Sequence, residues 1–101
     1  MSNPLSPYLL GITIDTTGIA NTQVVATNLS TGDNLIASTD SNKVVIFNAA
    51  DFTNDYTNGD IIQFENTGAS KGGNSITIDT TKGFQEATLV CHVASTTQMV
   101  I

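Results

Sequence analysis

The chain has no arginine and no tryptophan, a single cysteine (Cys91), a single histidine (His92) and only three lysines. Each shortage excludes something. One cysteine cannot form an internal disulfide, so stability has to come from a core or from neighbours. One histidine beside one cysteine is too small a set for a transition-metal site, and it leaves little that titrates near neutral pH for acid–base chemistry, so neither a cofactor nor an enzyme is expected. Three cations against nine carboxylates, a net charge of −6, cannot build the positive patch that neutralises a phosphate backbone; nucleic acid is not an expected partner. Anionic membrane surfaces are disfavoured for the same reason, and no apolar run approaches the roughly 20 residues of a spanning helix, so no membrane insertion is expected. Pro4 and Pro7 interrupt the apolar patch near Met1, with no basic residue before it, so the start of the chain does not read as a signal peptide.

What remains is a chain with an ordinary apolar share, 40%, but only 12% charge, so threonine, asparagine and serine must supply most of its wetted surface. Its 101 residues suit one domain, 1–101, with a single core. Short apolar runs alternate with polar punctuation. Leu10, Ile12 and Ile14 are in phase and end at Thr17-Gly18; Thr22 to Leu29 is β-branched and stops at Ser30-Thr31-Gly32-Asp33-Asn34. Leu35 to Thr39 pairs back across that turn, and Asp40-Ser41-Asn42 turns the chain again into Lys43 to Phe47. Ala49-Ala50-Asp51-Phe52 breaks the alternation as one helical turn. After Asn58-Gly59-Asp60, Ile62 and Phe64 point inward, with Gln63 and Glu65 outward. Residues 67–74, with Gly68, Gly72 and Gly73, read as a long exposed loop, followed by strands over 75–79, 87–93 and 96–101. Seven or eight short strands so spaced predict an all-β fold, a single antiparallel β-sandwich of the Ig-like or transthyretin-like kind, with Ile12, Ile14, Val45, Phe47, Ile62, Phe64, Ile76, Ile78 and Leu89 in its core.

The run Val24-x-Ala26-x-Asn28-Leu29-x-Thr31-Gly32, then Thr39-Asp40-Ser41-Asn42, Val45-x-Phe47 and Tyr56-x-Asn58-Gly59-Asp60-x-Ile62 resembles the transthyretin-like or carboxypeptidase-regulatory-like β-sandwich modules. The likeness covers about half the chain, roughly Ile12 to Phe64, and rests mostly on turn chemistry. It implies a module of the kind found in phage virion decoration proteins and in surface adhesins. The family's turn carries a glycine where this chain has Lys43, which leaves Asn42 to take the left-handed conformation. The role expected from this is a non-enzymatic virion structural protein, a capsid decoration or accessory subunit on the virion surface that binds a protein lattice or copies of itself. The alternative is a secreted adhesin or extracellular filament subunit at a cell surface.

The expected contacts lie in the terminal segments, 1–9 and 96–101: Leu5, Tyr8 and Leu9 at one end and Met99, Val100 and Ile101 at the other would be sticky edges in a lone monomer. Asp51, Asp55 and Asp60, with Asn54 and Asn58, form an oxygen-rich stretch of the type calcium uses, but the spacing departs from an EF-hand loop and cap or turn chemistry is the reading adopted. Adjacent residues on a strand face opposite ways, so Cys91 and His92 do not share a substrate, and Cys91, in phase with Leu89, belongs to the core. Asn28-Leu29-Ser30 is an N-glycosylation triplet that a chain this rich in Thr and Asn produces by chance. Lys43, Lys71 and Lys82 read as solvated guards of strand edges.

Overall fold

The computed structural model describes residues 7–15, 19–67 and 70–93, with 70, 71, 92 and 93 described by their backbone alone. These residues form seven strands: β1 (Leu9–Ile14), β2 (Gln23–Asn28), β3 (Asn34–Ser38), β4 (Val44–Asn48), β5 (Ile61–Asn66), β6 (Ser70–Thr77) and β7 (Phe84–Val93), with one 3-10 turn, Ala49–Asp51, after β4. The period-two alternation read from the sequence sets which side of each strand is buried. Leu10, Ile12 and Ile14 of β1, Val24 and Ala26 of β2, Val45 and Phe47 of β4, and Ile62 and Phe64 of β5 all enter one core. All nine residues expected in the core are buried. Phe47 and Phe64 meet across it with ring centroids 5.8 Å apart, which ties β4 to β5 from opposite sides.

The all-β expectation holds, but the sheet organisation differs from a purely antiparallel sandwich. Backbone pairing joins the seven strands into one mixed sheet, β3-β2-β5-β6-β7-β1-β4, nearly closed into a barrel. β1 and β7 run parallel, from Leu9 opposite Phe84 to Ile14 opposite Leu89. Turn residues signal only the antiparallel pairing of neighbours in sequence; a pairing between the first and last of these strands has no turn and so no local signal. β7 also changes partner along its length. Residues 84–89 pair with β1 and 90–93 with β6, while the far half of β6 pairs with β5.

That crossing explains the glycines misread as a loop tip. β6 begins at Ser70, so most of the expected loop over 67–74 is strand, with 68 and 69 outside the described residues. At Gly72 a Cβ would stand 2.6 Å from the Val90 carbonyl oxygen, so only a residue without a side chain lets β6 and β7 approach there.

The edge strands β3 and β4 come within 8 Å of each other and are linked by the turn over 39–43. In that turn Asp40 Oδ1 accepts from Asn42 N at 2.8 Å and Val44 N at 3.1 Å. The left-handed residue is Lys43, at φ 66°, not Asn42 as expected, because Asp40 holds the amides on either side of Lys43. At the other end of the seam the segment after β4 crosses back to β3. Asn48 Oδ1 caps the 3-10 turn through Ala50 N, Phe52 fills the core beneath, and Asn54 donates twice to Asp33 Oδ2 from its backbone N and its Nδ2, at 2.8 and 2.9 Å. The seam between the two free edges is thus bridged at both ends, which protects them from pairing with other chains.

Candidate interaction surface

The outer side of β4, β1 and β7 carries an apolar patch. Leu9 lies directly opposite Phe84, and Gly11 lies between Ile46 and Glu86 in the strand register. The Phe84 ring rests over Gly11, where an added Cβ would meet its Cζ at 3.1 Å, so the glycine seats the ring against the sheet. Leu9, Phe84 and Ile46 are nonetheless 37%, 42% and 58% exposed, and they are neighbours on a single surface. Asn48, Thr13, Glu86 and Thr88 lie on the same side in register around them. Apolar side chains grouped in this way, with polar ones about them, make this face the candidate interaction surface of the described residues. The sequence reading found Leu9 but missed Phe84 and Ile46. Ile46 was legible as the outward residue between inward Val45 and Phe47. Phe84 was hidden because the strand was started at Ala87.

Of the six expected contact residues, Leu5, Met99, Val100 and Ile101 lie outside the described residues. Leu9 belongs to the patch just described. Tyr8 does not, which corrects the expectation: at 2% exposure it is a core residue. Its hydroxyl donates to the Asp79 carbonyl oxygen at 2.6 Å, accepts from the Asp79 N–H at 3.2 Å and lies against Gln85 Oε1. Its ring packs on Tyr56 at 5.4 Å. Burial is the main force raising its pKa, so the phenol stays neutral and ties the start of β1 to the turn before β7. Tyr8 stands in phase with Leu10, Ile12 and Ile14, so the period-two alternation of β1, extended one step back, carries the signal that its side chain points inward.

The oxygen-rich stretch separates into caps and turns. Asp51 and Asp55 are exposed, whereas Asp60 is buried. Asp60 Oδ2 accepts from Asn28 Nδ2 at 3.0 Å and Thr57 N at 2.9 Å, and Oδ1 accepts from the Thr57 hydroxyl at 2.9 Å. Burial alone would raise its pKa, but these bonds and one from Ser30 outweigh it and hold the carboxyl below its ordinary 3.8. Among the described residues no three of His, Cys, Asp and Glu are grouped to hold a metal ion. The glycosylation triplet meets the same network: Asn28 is wholly buried with its Nδ2 committed to Asp60, so the folded chain offers no acceptor there.

Cys91 is buried, as read from its phase, and desolvation first, then the nearby Asp15 charge, push its thiol pKa up against the opposing pull of Lys43. A thiol held neutral is a poor nucleophile. Its Sγ makes long contacts of 3.7 Å to Asn66 Oδ1 and to the Leu89 carbonyl. The side chains of His92 and Lys71 lie outside the described residues, while Lys82 is exposed and Lys43 half-buried. No described helix is long and apolar enough to cross a membrane. Comparison with protein-family models, with curated proteins and with solved structures finds no match to this chain.

Proposed function

We propose that this chain is a non-enzymatic structural subunit, a virion decoration or accessory protein that docks on a protein lattice through the outer face of β4, β1 and β7. The observation that carries the reading is the patch of Leu9, Ile46 and Phe84, kept on the surface at the cost of leaving three large apolar side chains in water. The remaining surface supports it. With few long charged side chains to immobilise, a Thr-, Asn- and Ser-rich exterior loses little side-chain entropy on docking. Terminal segments 1–9, apart from the core residue Tyr8, and 96–101 are part of the proposal as further contacts, since the first of them ends on Leu9 of the patch. The finer fold assignment, a transthyretin-like or Ig-like two-layer arrangement, is also proposed. Its support is the division of β7, whose first half extends β1 and β4 and whose second half extends β6, β5, β2 and β3.

The test is rebinding. Particles stripped of the subunit are mixed with the wild-type chain or with an Ile46→Lys, Phe84→Lys double variant whose fold is checked by circular dichroism. Wild type returning to the particle while the folded variant stays in the supernatant supports the reading. Equal rebinding of both rejects the face, and failure of both to bind rejects the lattice.

A further inference from the structure

Asn58-Gly59 is the one Asn-Gly pair in the chain. In such a pair the glycine amide nitrogen attacks the side-chain carboxamide carbon. A nitrogen–Cγ bond forms, the Cγ–Nδ2 bond breaks and ammonia leaves; water then opens the cyclic imide at either carbonyl to give aspartate or isoaspartate. Glycine makes the attack easy because no Cβ crowds the incoming nitrogen. The reaction needs only water, and it needs the two groups to meet.

In the folded chain they are turned to different partners. Asn58 Oδ1 accepts from Thr80 N at 3.0 Å and from the Thr80 hydroxyl at 3.3 Å. Gly59 N donates to the Ile78 carbonyl at 2.8 Å, and Ile78 N returns a bond of 2.8 Å to the Asp60 carbonyl. The turn over 57–60, closed by Asp60 N to the Thr57 carbonyl at 3.1 Å with Gly59 at φ 91°, is thereby clasped to the turn that follows Ile78. The carboxamide and the attacking nitrogen are each anchored by the second turn, and neither can rotate toward the other while the clasp holds.

We propose that Asn58 is a latent deamidation site, held closed by this clasp, at which hydrolysis proceeds only when the two turns part. The consequence reaches beyond the turn. Isoaspartate inserts an extra methylene into the backbone between Thr57 and Asp60, and Thr57 supplies two of the bonds to the Asp60 carboxylate that in turn holds buried Asn28. Ageing at one exposed asparagine thus unsettles the buried polar network.

Peptide mapping by mass spectrometry follows conversion of every asparagine in the full chain at mildly alkaline pH, in native buffer and in concentrated urea. In urea Asn58 converts before the other asparagines. In native buffer its rate falls about tenfold or more, because only the opened fraction reacts. Thr80→Ala, which removes one of the two bonds to Oδ1, speeds the native reaction a few-fold and leaves the rate in urea unchanged. The proposal is overturned by a native rate equal to that in urea, by another asparagine converting first in urea, or by a folded Thr80→Ala chain that deamidates at the wild-type native rate.

Discussion

Replacing Gly72 by alanine tests the crossing of β6 over β7. The added Cβ would sit 2.6 Å from the Val90 carbonyl oxygen, 2.8 Å from its carbon and 3.0 Å from Cys91 Cα. All three are backbone atoms, so no side chain can swing aside. Ordinary contact begins at 3.4 Å, and the strands must open by roughly 0.8 Å to reach it from 2.6 Å. A gap that wide takes ladder hydrogen bonds near 2.9 Å past the useful limit, at about 1 kcal/mol each for two bonds. It also pulls Gly72 N from Asn66 Oδ1, now 2.6 Å away. Alanine recovers about 0.5–1 kcal/mol by restricting the unfolded chain. The expected net loss is about 2–3 kcal/mol. Gly73 is the internal control: its nearest neighbour is the Phe64 carbonyl oxygen at 3.3 Å, a few tenths short of ordinary contact, and Gly73→Ala should lie within about 0.5 kcal/mol of wild type. Urea unfolding followed by circular dichroism, the usual tryptophan probe being absent, measures both. If Gly72→Ala is as stable as wild type, or the two variants lose equally, the crossing does not constrain Gly72 as argued.

Phe47→Ala, which empties the contact with Phe64 at the centre of the core, should cost about 3–5 kcal/mol in the same urea assay; a loss under about 1 kcal/mol would place the ring outside the core. Asp60→Ala strands Asn28 Nδ2 and Thr57 N and should cost about 3 kcal/mol at neutral pH. The folded carboxyl titrates below its ordinary 3.8, so its contribution is complete above that value and disappears as pH falls through the lower folded value. The gap between wild type and Asp60→Ala should therefore narrow in acid, and a gap that widens there would refute the network. EDTA should leave the melting temperature where it was, because Asp60 is committed to Asn28 and Thr57 while Asp51 and Asp55 stand apart in solvent; a clear drop would mean that a bound cation supports the fold.

Local chemistry was the legible part of this chain. Alternation in Ile12-x-Ile14, Val45-x-Phe47 and Ile62-x-Phe64 specified the buried side of three strands, since a one-residue slip would turn every apolar side chain outward. Turn residues bracketed the strands for equally local reasons: Asp40 accepts from its own neighbouring amides, and Gly59 takes the positive φ that the 57–60 turn needs. Non-local geometry was not legible. Nothing near Leu9 announces Phe84 as its parallel neighbour, and Gly72 reads identically as a loop glycine or as a strand crossing until β7 is laid across it. The candidate surface fell between these cases. Ile46 could be deduced from its neighbours' phase, whereas the seating of Phe84 on Gly11 depends on a pairing 73 residues apart, the separation from Gly11 to Phe84.

Quantitative mass spectrometry of purified particles from the source of this chain tests the structural-subunit proposal most directly. A decoration or accessory subunit is present at a fixed ratio to the major lattice protein, and that ratio persists through repeated washing and sedimentation. If the chain is absent from particles, or is recovered instead as nearly pure filaments at a cell surface, the virion account fails.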